Sequence, residues 1–158
     1  MTVPETAPPV EVRRALRADL LDVLRIERAA FPEPWPYSAF DRFVGEPGFL
    51  VADHESAETP AVVGYVVADV VSTPARDLGH VKDVAVAADH RGEGVATRLL
   101  ADALDRLRDQ GADAVKLEVR RSNAPARGLY EAFDFSRSAT VPGYYRDGED
   151  GLVLTRDL

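Results

Sequence analysis

Cysteine is absent from this 158-residue chain, which removes disulfide staples, thiolate zinc sites and a cysteine nucleophile at once. Lysine is nearly absent: Lys82 and Lys116 are the only two, set against 27 acidic residues and a formal charge of −8. Nonspecific binding to nucleic acid needs clustered cations to neutralise phosphates, so no nucleic-acid partner is expected and basic partners suit the surface better. The acid excess has two readings, solubility in a salty cytoplasm such as that of halophilic archaea and a GC-rich genome that favours Ala, Arg, Asp and Val. Composition does not separate them. His54, His80 and His90 are too scattered for a local metal-ligand motif, so histidine reads as surface or structural and no metal is expected. No apolar run approaches the roughly 18 residues of a membrane span, and the N-terminus lacks the basic-then-apolar order of a signal peptide. These absences predict a cytoplasmic protein without a membrane partner.

What is present is enough for one domain with its own core. Pro4, Pro8 and Pro9 without apolar periodicity mark residues 1–10 as a flexible tail, leaving 11–158 as a single domain. Strands are expected at Val10–Leu16, Phe49–Ala52, Ala61–Val71, Val81–Val86, Ala114–Arg120, Phe135–Ala139 and Gly151–Thr155, with the polar segment Asp53–Pro60 as a hairpin connection. Helices are expected from Leu20 to Ala30 with Asp19 as N-cap, from a Ser38 cap to Phe43, from near Gly94 to Gln110, and from a Ser122 or Asn123 cap to about Phe133. Three prolines keep Phe31–Tyr37 out of regular helix and leave an aromatic, stiffened loop. Strands that come first and then alternate with helices predict an α/β or α+β architecture with a mixed sheet.

The run Asp89–Leu100 joins the fourth strand to the long helix through a tight turn containing Gly92 and Gly94. The first helical N–H groups have no intrahelical partner and the helix dipole points its positive end there, so the turn can cradle an anion such as a pyrophosphate. A dinucleotide-binding fold is disfavoured, because the turn follows the fourth strand and no G-x-G-x-x-G occurs. The G-x-x-x-x-G-K-[ST] phosphate loop is also missing.

Arg91-Gly92-Glu93-Gly94-Val95-Ala96 resembles the Arg/Gln-x-x-Gly-x-Gly/Ala pattern of the GNAT acetyltransferases, and the resemblance covers nearly the whole chain. Within that family the likeness is to RimI-type and archaeal NatA-like protein N-terminal acetyltransferases, through Leu117-Glu118-Val119-Arg120, Ser122-Asn123, Leu129-Tyr130 and Tyr144-Tyr145-Arg146-Asp147-Gly148-Glu149-Asp150. The resemblance implies a GNAT fold: a mixed, mostly antiparallel sheet of about seven strands with about four helices, splayed between strands 4 and 5. It also implies direct transfer of acetyl from acetyl-CoA to an amine, without an acyl-enzyme.

Such a transfer must deprotonate the amine, stabilise an oxyanion and protonate the departing thiolate. The resemblance makes Glu118 the general base and Tyr130 the general acid. A phenol with a pKa of about 10 can donate to a thiolate whose conjugate acid is near about 8.5. Strand alternation places Glu118 on the side of Lys116 and Arg120, opposite Leu117 and Val119. The base need not be strong for an N-terminal acceptor: an α-amine with pKa about 7.7–8.0 is roughly a tenth unprotonated at pH 7, a lysine amine only to about 10⁻⁴–10⁻³.

By the same resemblance the cofactor contacts are the backbone of Val84, Ala85 and Val86, the turn residues Arg91, Gly92, Glu93, Gly94, Val95, Ala96 and Thr97, and the side chain of Asn123. Phe31, Pro34, Trp35 and Tyr37 form one wall of the acceptor site, and Tyr144 and Tyr145 the other. The implied partner is a protein or peptide N-terminus, such as that of a ribosomal protein, with the enzyme a monomer or weak homodimer. A small-amine acetyltransferase and a noncatalytic acyl-CoA sensor are the competing readings. One departure stands out: Asp134-Phe135 replaces the family's Gly-Phe, where glycine supplies a left-handed helix cap.

Overall fold

The computed structural model describes residues 10–54 and 61–158. Residues 1–9 of the expected tail and 55–60 of the expected hairpin connection lie outside the described residues. Val10, assigned to the tail as well as to a strand, opens β1 and pairs with His54.

The elements follow in the order β1 (Val10–Arg14), α1 (Leu20–Ala30), α2 (Tyr37–Phe43), β2 (Phe49–His54), β3 (Val62–Ser72), β4 (Asp77–Val86), α3 (Val95–Asp109), β5 (Ala114–Arg120), α4 (Ala124–Ala132), β6 (Ser136–Val141) and β7 (Gly151–Asp157). The strands form one seven-stranded sheet in the order β1-β2-β3-β4-β5-β7-β6. The β4–β5 pair is parallel, whereas β1–β2, β2–β3, β5–β7 and β6–β7 are antiparallel. The mixed, mostly antiparallel sheet and the four α-helices match the expectation. The β4–β5 register runs only from Leu78–Ala114 to His80–Lys116 and ends two residues before Glu118.

The described residues form two compact units, one of 10–54, 61–67 and 83–103, the other of 68–82 and 104–158. In the first, the apolar side of α1 (Leu20, Val23, Leu24, Ile26) packs with Phe40, Phe49, Val51, Tyr65 and Val67. Fully burying each such side chain is worth about 1.5–3 kcal/mol. Gly64 on β3 lets α3 sit close, since a Cβ there would lie 3.1 Å from Leu99 Cδ1 and 3.2 Å from Val95 Cγ1. In the second, buried Leu104, Leu107, Val115, Leu117, Val119, Leu152 and Leu154 make the core. On β5 the alternation is as expected, with Leu117 and Val119 buried and Lys116, Glu118 and Arg120 partly exposed.

Local chemistry moved several boundaries. Asp19 does stand before α1, but its side chain makes no cap bond to that helix. It accepts instead from the Leu16 N–H (2.7 Å) and from Arg13 (2.9 and 3.0 Å). Ser38 is not the cap of α2: Pro36 holds that position, and Ser38 lies within the helix. A proline just before a helix costs nothing, because its missing N–H would have had no partner there. Asn123 is the cap of α4, its Oδ1 accepting the Ala126 N–H at 3.2 Å.

Candidate active site

Glu118 lies on β5 with its side chain mostly covered, 16% exposed. Its Oε1 is 2.8 Å from His80 Nε2. The other ring nitrogen of His80, Nδ1, is 3.4 Å from Lys82 Nζ. An ammonium has only protons to give, so Lys82 donates to Nδ1 and the ring donates from Nε2 to the carboxylate. Lys82 in turn is 3.8 Å from Asp69. The His80 hydrogen bond, more than the charge of Lys116, holds the Glu118 carboxyl below the usual range against the opposing effect of burial. Its second oxygen, Oε2, is buried and has Lys116 Nζ as an ionic neighbour at 3.4 Å. Among the described residues no donor completes a hydrogen bond to Oε2. A lone pair on a fixed carboxylate is thereby left for a proton.

His80, which sequence reading assigned to surface or structure, is the side chain that fixes Glu118. The available signal was register: β4 runs parallel to β5, and His80 pairs with Lys116, two residues before Glu118.

Tyr130, the expected acid, is 7% exposed near the end of α4. The helix closes on it. The Asp134 N–H bonds Glu131 O at 2.9 Å, the Phe135 N–H bonds Tyr130 O at 3.1 Å, and Asp134 takes the left-handed conformation with φ 66°. This is a Schellman cap, and its customary apolar contact is the Tyr130–Phe135 ring pair, 5.8 Å between centroids. Asp134 therefore does the work of the family's glycine, at the steric cost a Cβ brings to that conformation.

Tyr144 and Tyr145 meet edge to face at 5.0 Å. Tyr144 is exposed (49%) and its ring covers Gly151, where a Cβ would come within 2.9 Å of it. Tyr145 lies under the guanidinium of Arg120, 4.1 Å from the ring centroid. Burial, then Tyr144, pushes the Tyr145 phenol up to about 12, so it remains a hydrogen-bond donor at neutral pH. Arg120 also binds Asp147 (2.8 Å) and Glu149 (2.9 Å), tying the tyrosine loop to β5. Ser122, then Arg120, pulls the Glu149 carboxyl down to about 2.

In the first unit, Gly92 and Gly94 both have left-handed backbones (φ 80° and 81°), as the tight turn requires. Arg98 N–H to Gly94 O (3.1 Å) opens the hydrogen-bond ladder of α3. The amides of Val95, Ala96 and Thr97 precede that ladder, which is the anion-binding arrangement expected at a helix start. Arg91 Nε reaches Val86 O at 3.4 Å, and Glu93 pairs with His90 at 3.2 Å. Val84 and Val86 are partly exposed and Ala85 is buried. Trp35 packs on Phe40 and Phe43, with centroids 5.3 and 6.1 Å away, so its ring anchors the proline loop to the core together with Phe31. Pro34 and Tyr37 are exposed. No cluster of three or more His, Asp or Glu able to hold a metal occurs among the described residues, and no described helix is long and apolar enough to cross a membrane.

The sheet, the glycine turn before α3 and the motifs along the chain define an acetyltransferase: residues 20–135 match the Acetyltransferase (GNAT) family, and the chain belongs to it. Among its relatives, the N-alpha-acetyltransferase of Saccharolobus solfataricus is 34% identical over 93% of this chain and 92% of its own. The N-alpha-acetyltransferase RimI of Mycobacterium tuberculosis is 32% identical over 94% of this chain and 93% of its own. In fold, a chain of the NatC complex bound to Gag peptide and CoA superposes with a TM-score of 0.88 at 22% identity, covering 94% of this chain and 98% of that one.

Proposed function

We propose that this protein, acting as one domain from residue 11 to 158, transfers the acetyl group of acetyl-CoA to the N-terminal α-amine of a protein or peptide. The observation that carries the reading is Glu118 Oε2, a buried carboxylate oxygen without a hydrogen-bond donor among the described residues, on a side chain fixed by His80. The names of the Saccharolobus and Mycobacterium relatives support the α-amine as acceptor. The CoA and peptide of the NatC neighbour support the two substrates.

Acetyl-CoA enters as a substrate. The left-handed glycines and leading amides of α3 suit its pyrophosphate, with Arg91, Glu93 and Asn123 beside it by family likeness. The exposed backbone end of β4, Val84 to Val86, serves the amide-rich pantetheine arm in the manner of strand addition. Glu118 takes the proton of the acceptor amine, directly or through water, as nitrogen attacks the thioester carbon. A carboxyl held below its usual range is a weak base, which fits an α-amine whose pKa is only about 7.7–8.0. Tyr130 returns a proton to the thiolate as the carbon–sulfur bond breaks. Phe31, Pro34, Trp35 and Tyr37 form one wall for the acceptor, and Tyr144 and Tyr145 the other. Ribosomal-protein N-termini are the natural class to try first, since one relative is named for acting on ribosomal protein bS18.

The test is incubation with acetyl-CoA and a peptide library varied at its first two residues, with the added acetyl mass located by fragmentation. Acetylation on the N-terminal amine is the expected outcome. Modification confined to internal lysines or polyamines, or no transfer by a protein that still binds CoA, would overturn it.

A further inference from the structure

Glu27 is a charged residue that the proposed chemistry leaves unused, and it is 1% exposed. A carboxyl that deep is costly unless its lone pairs are met. Its Oε1 accepts from the Tyr65 hydroxyl, and its Oε2 accepts the backbone N–H of Trp35 at 2.8 Å. Its own backbone carbonyl accepts the N–H of Phe31 at 3.0 Å. One residue of α1 thus grips the Phe31–Trp35 run at both ends. The run needs such a grip: Pro32, Pro34 and Pro36 have no N–H, so neither helix nor strand bonding can order it.

Asp83 approaches the same hydroxyl at 3.4 Å. Burial, then its bond to Glu27, raises the Asp83 carboxyl well above the usual range.

We infer that Glu27 is a positioning residue for the acceptor, its side chain fixing the loop that carries Pro34, Trp35 and Tyr37 in the shape that receives an N-terminus. This rests on the function proposed above. A merely structural role predicts lower stability with unchanged constants in the folded fraction. Positioning predicts a change confined to one substrate.

The experiment measures steady-state constants for an N-terminal peptide and for acetyl-CoA, together with amide hydrogen exchange of residues 31–36, in the wild-type protein and in Glu27→Leu, Glu27→Asp and Glu27→Gln. Leu removes the acceptor, Asp withdraws it by one methylene, and Gln keeps a carbonyl oxygen able to accept the Trp35 N–H. Leu and Asp should raise the peptide KM about tenfold, equivalent to about 1.4 kcal/mol, with the acetyl-CoA KM unchanged and faster exchange in 31–36. Gln should restore both readouts to within about twofold, the worth of one retained hydrogen bond. Should Leu fail to fold, Asp and Gln still decide. An unchanged peptide KM in Leu and Asp, equal rises in both KM values, or unchanged exchange would overturn the inference. A wild-type protein that acetylates no N-terminal peptide would instead overturn the function, while the exchange data would still decide whether Glu27 holds the loop.

Discussion

Asp83 in the first unit and Glu118 in the second are both partly buried carboxylates on β-strands, yet their environments drive them in opposite directions. Asp83 faces Glu27 and Tyr65, a second acid and a neutral hydroxyl, and burial dominates, so its carboxyl is raised. Glu118 faces His80 and Lys116, and their hydrogen bond and charge outweigh burial, so it is lowered. Glu149, gripped by Ser122 and Arg120, follows Glu118. Burial alone therefore does not set the charge of an acid here; the chemistry of its partners does. The first unit raises an acid beside Glu27 and Tyr65; the second lowers one beside His80 and Lys116.

Removing the Glu118 carboxylate should have the largest effect. Glu118→Gln is expected to lower kcat by about 10²-fold or more, the ordinary worth of a general base, with CoA affinity by calorimetry within about twofold. The acid limb of kcat/KM should follow the acceptor amine near about 8 and not the carboxylate. A limb between pH 4 and 5 would break the comparison on its catalytic side.

The raised acid gives the next test. Because folded Asp83 holds its proton above the unfolded value of about 3.9, the native state binds more protons than the unfolded chain, and this group's contribution falls as pH rises from there through the folded value. Asp83→Asn keeps the neutral form. It should flatten the decline of the melting temperature as pH rises above about 4; an unchanged slope would show that Asp83 is not raised in the fold. Glu149 has the opposite sign. Its stabilisation is present above an unfolded value of about 4.3 and lost as pH falls toward about 2. Arg120→Ala should accordingly lower the melting temperature at pH 6 and narrow the gap between variant and wild type at pH 3, as measured by calorimetry. The smallest change is expected for Asp134→Gly. Relief of the left-handed Cβ, offset by greater freedom of the unfolded chain, should stabilise by about 0.5–1 kcal/mol, or about 1–4 °C.

The pattern that repeats locally was legible in the chain. Ala114–Arg120 and Leu20–Ala30 have the bounds that periodicity predicts, because each is a run whose apolar face repeats at the period of its own backbone. β4 begins at Asp77, four residues before its expected start. Its first residues include Asp77 and His80, partly exposed polar positions that hide an alternation visible only once Gly79 and Val81 are known to be buried. Trp35 is expected in the acceptor wall, and only the fold shows that Phe40 and Phe43 also tie its ring to the core.

The sequence by itself determined the family, the glycine turn before the long helix, the position of Glu118 on the polar side of its strand, and the need for a left-handed residue at 134. Those features are local: a motif, a period, a backbone conformation. Only the tertiary structure decided which acids are raised and which are lowered. Asp83 meets Tyr65 across 18 residues, and Glu118 meets His80 across 38. A carboxyl's proton affinity is set by the groups that replace its lost water, and those groups arrive from distant strands and helices once the chain has folded.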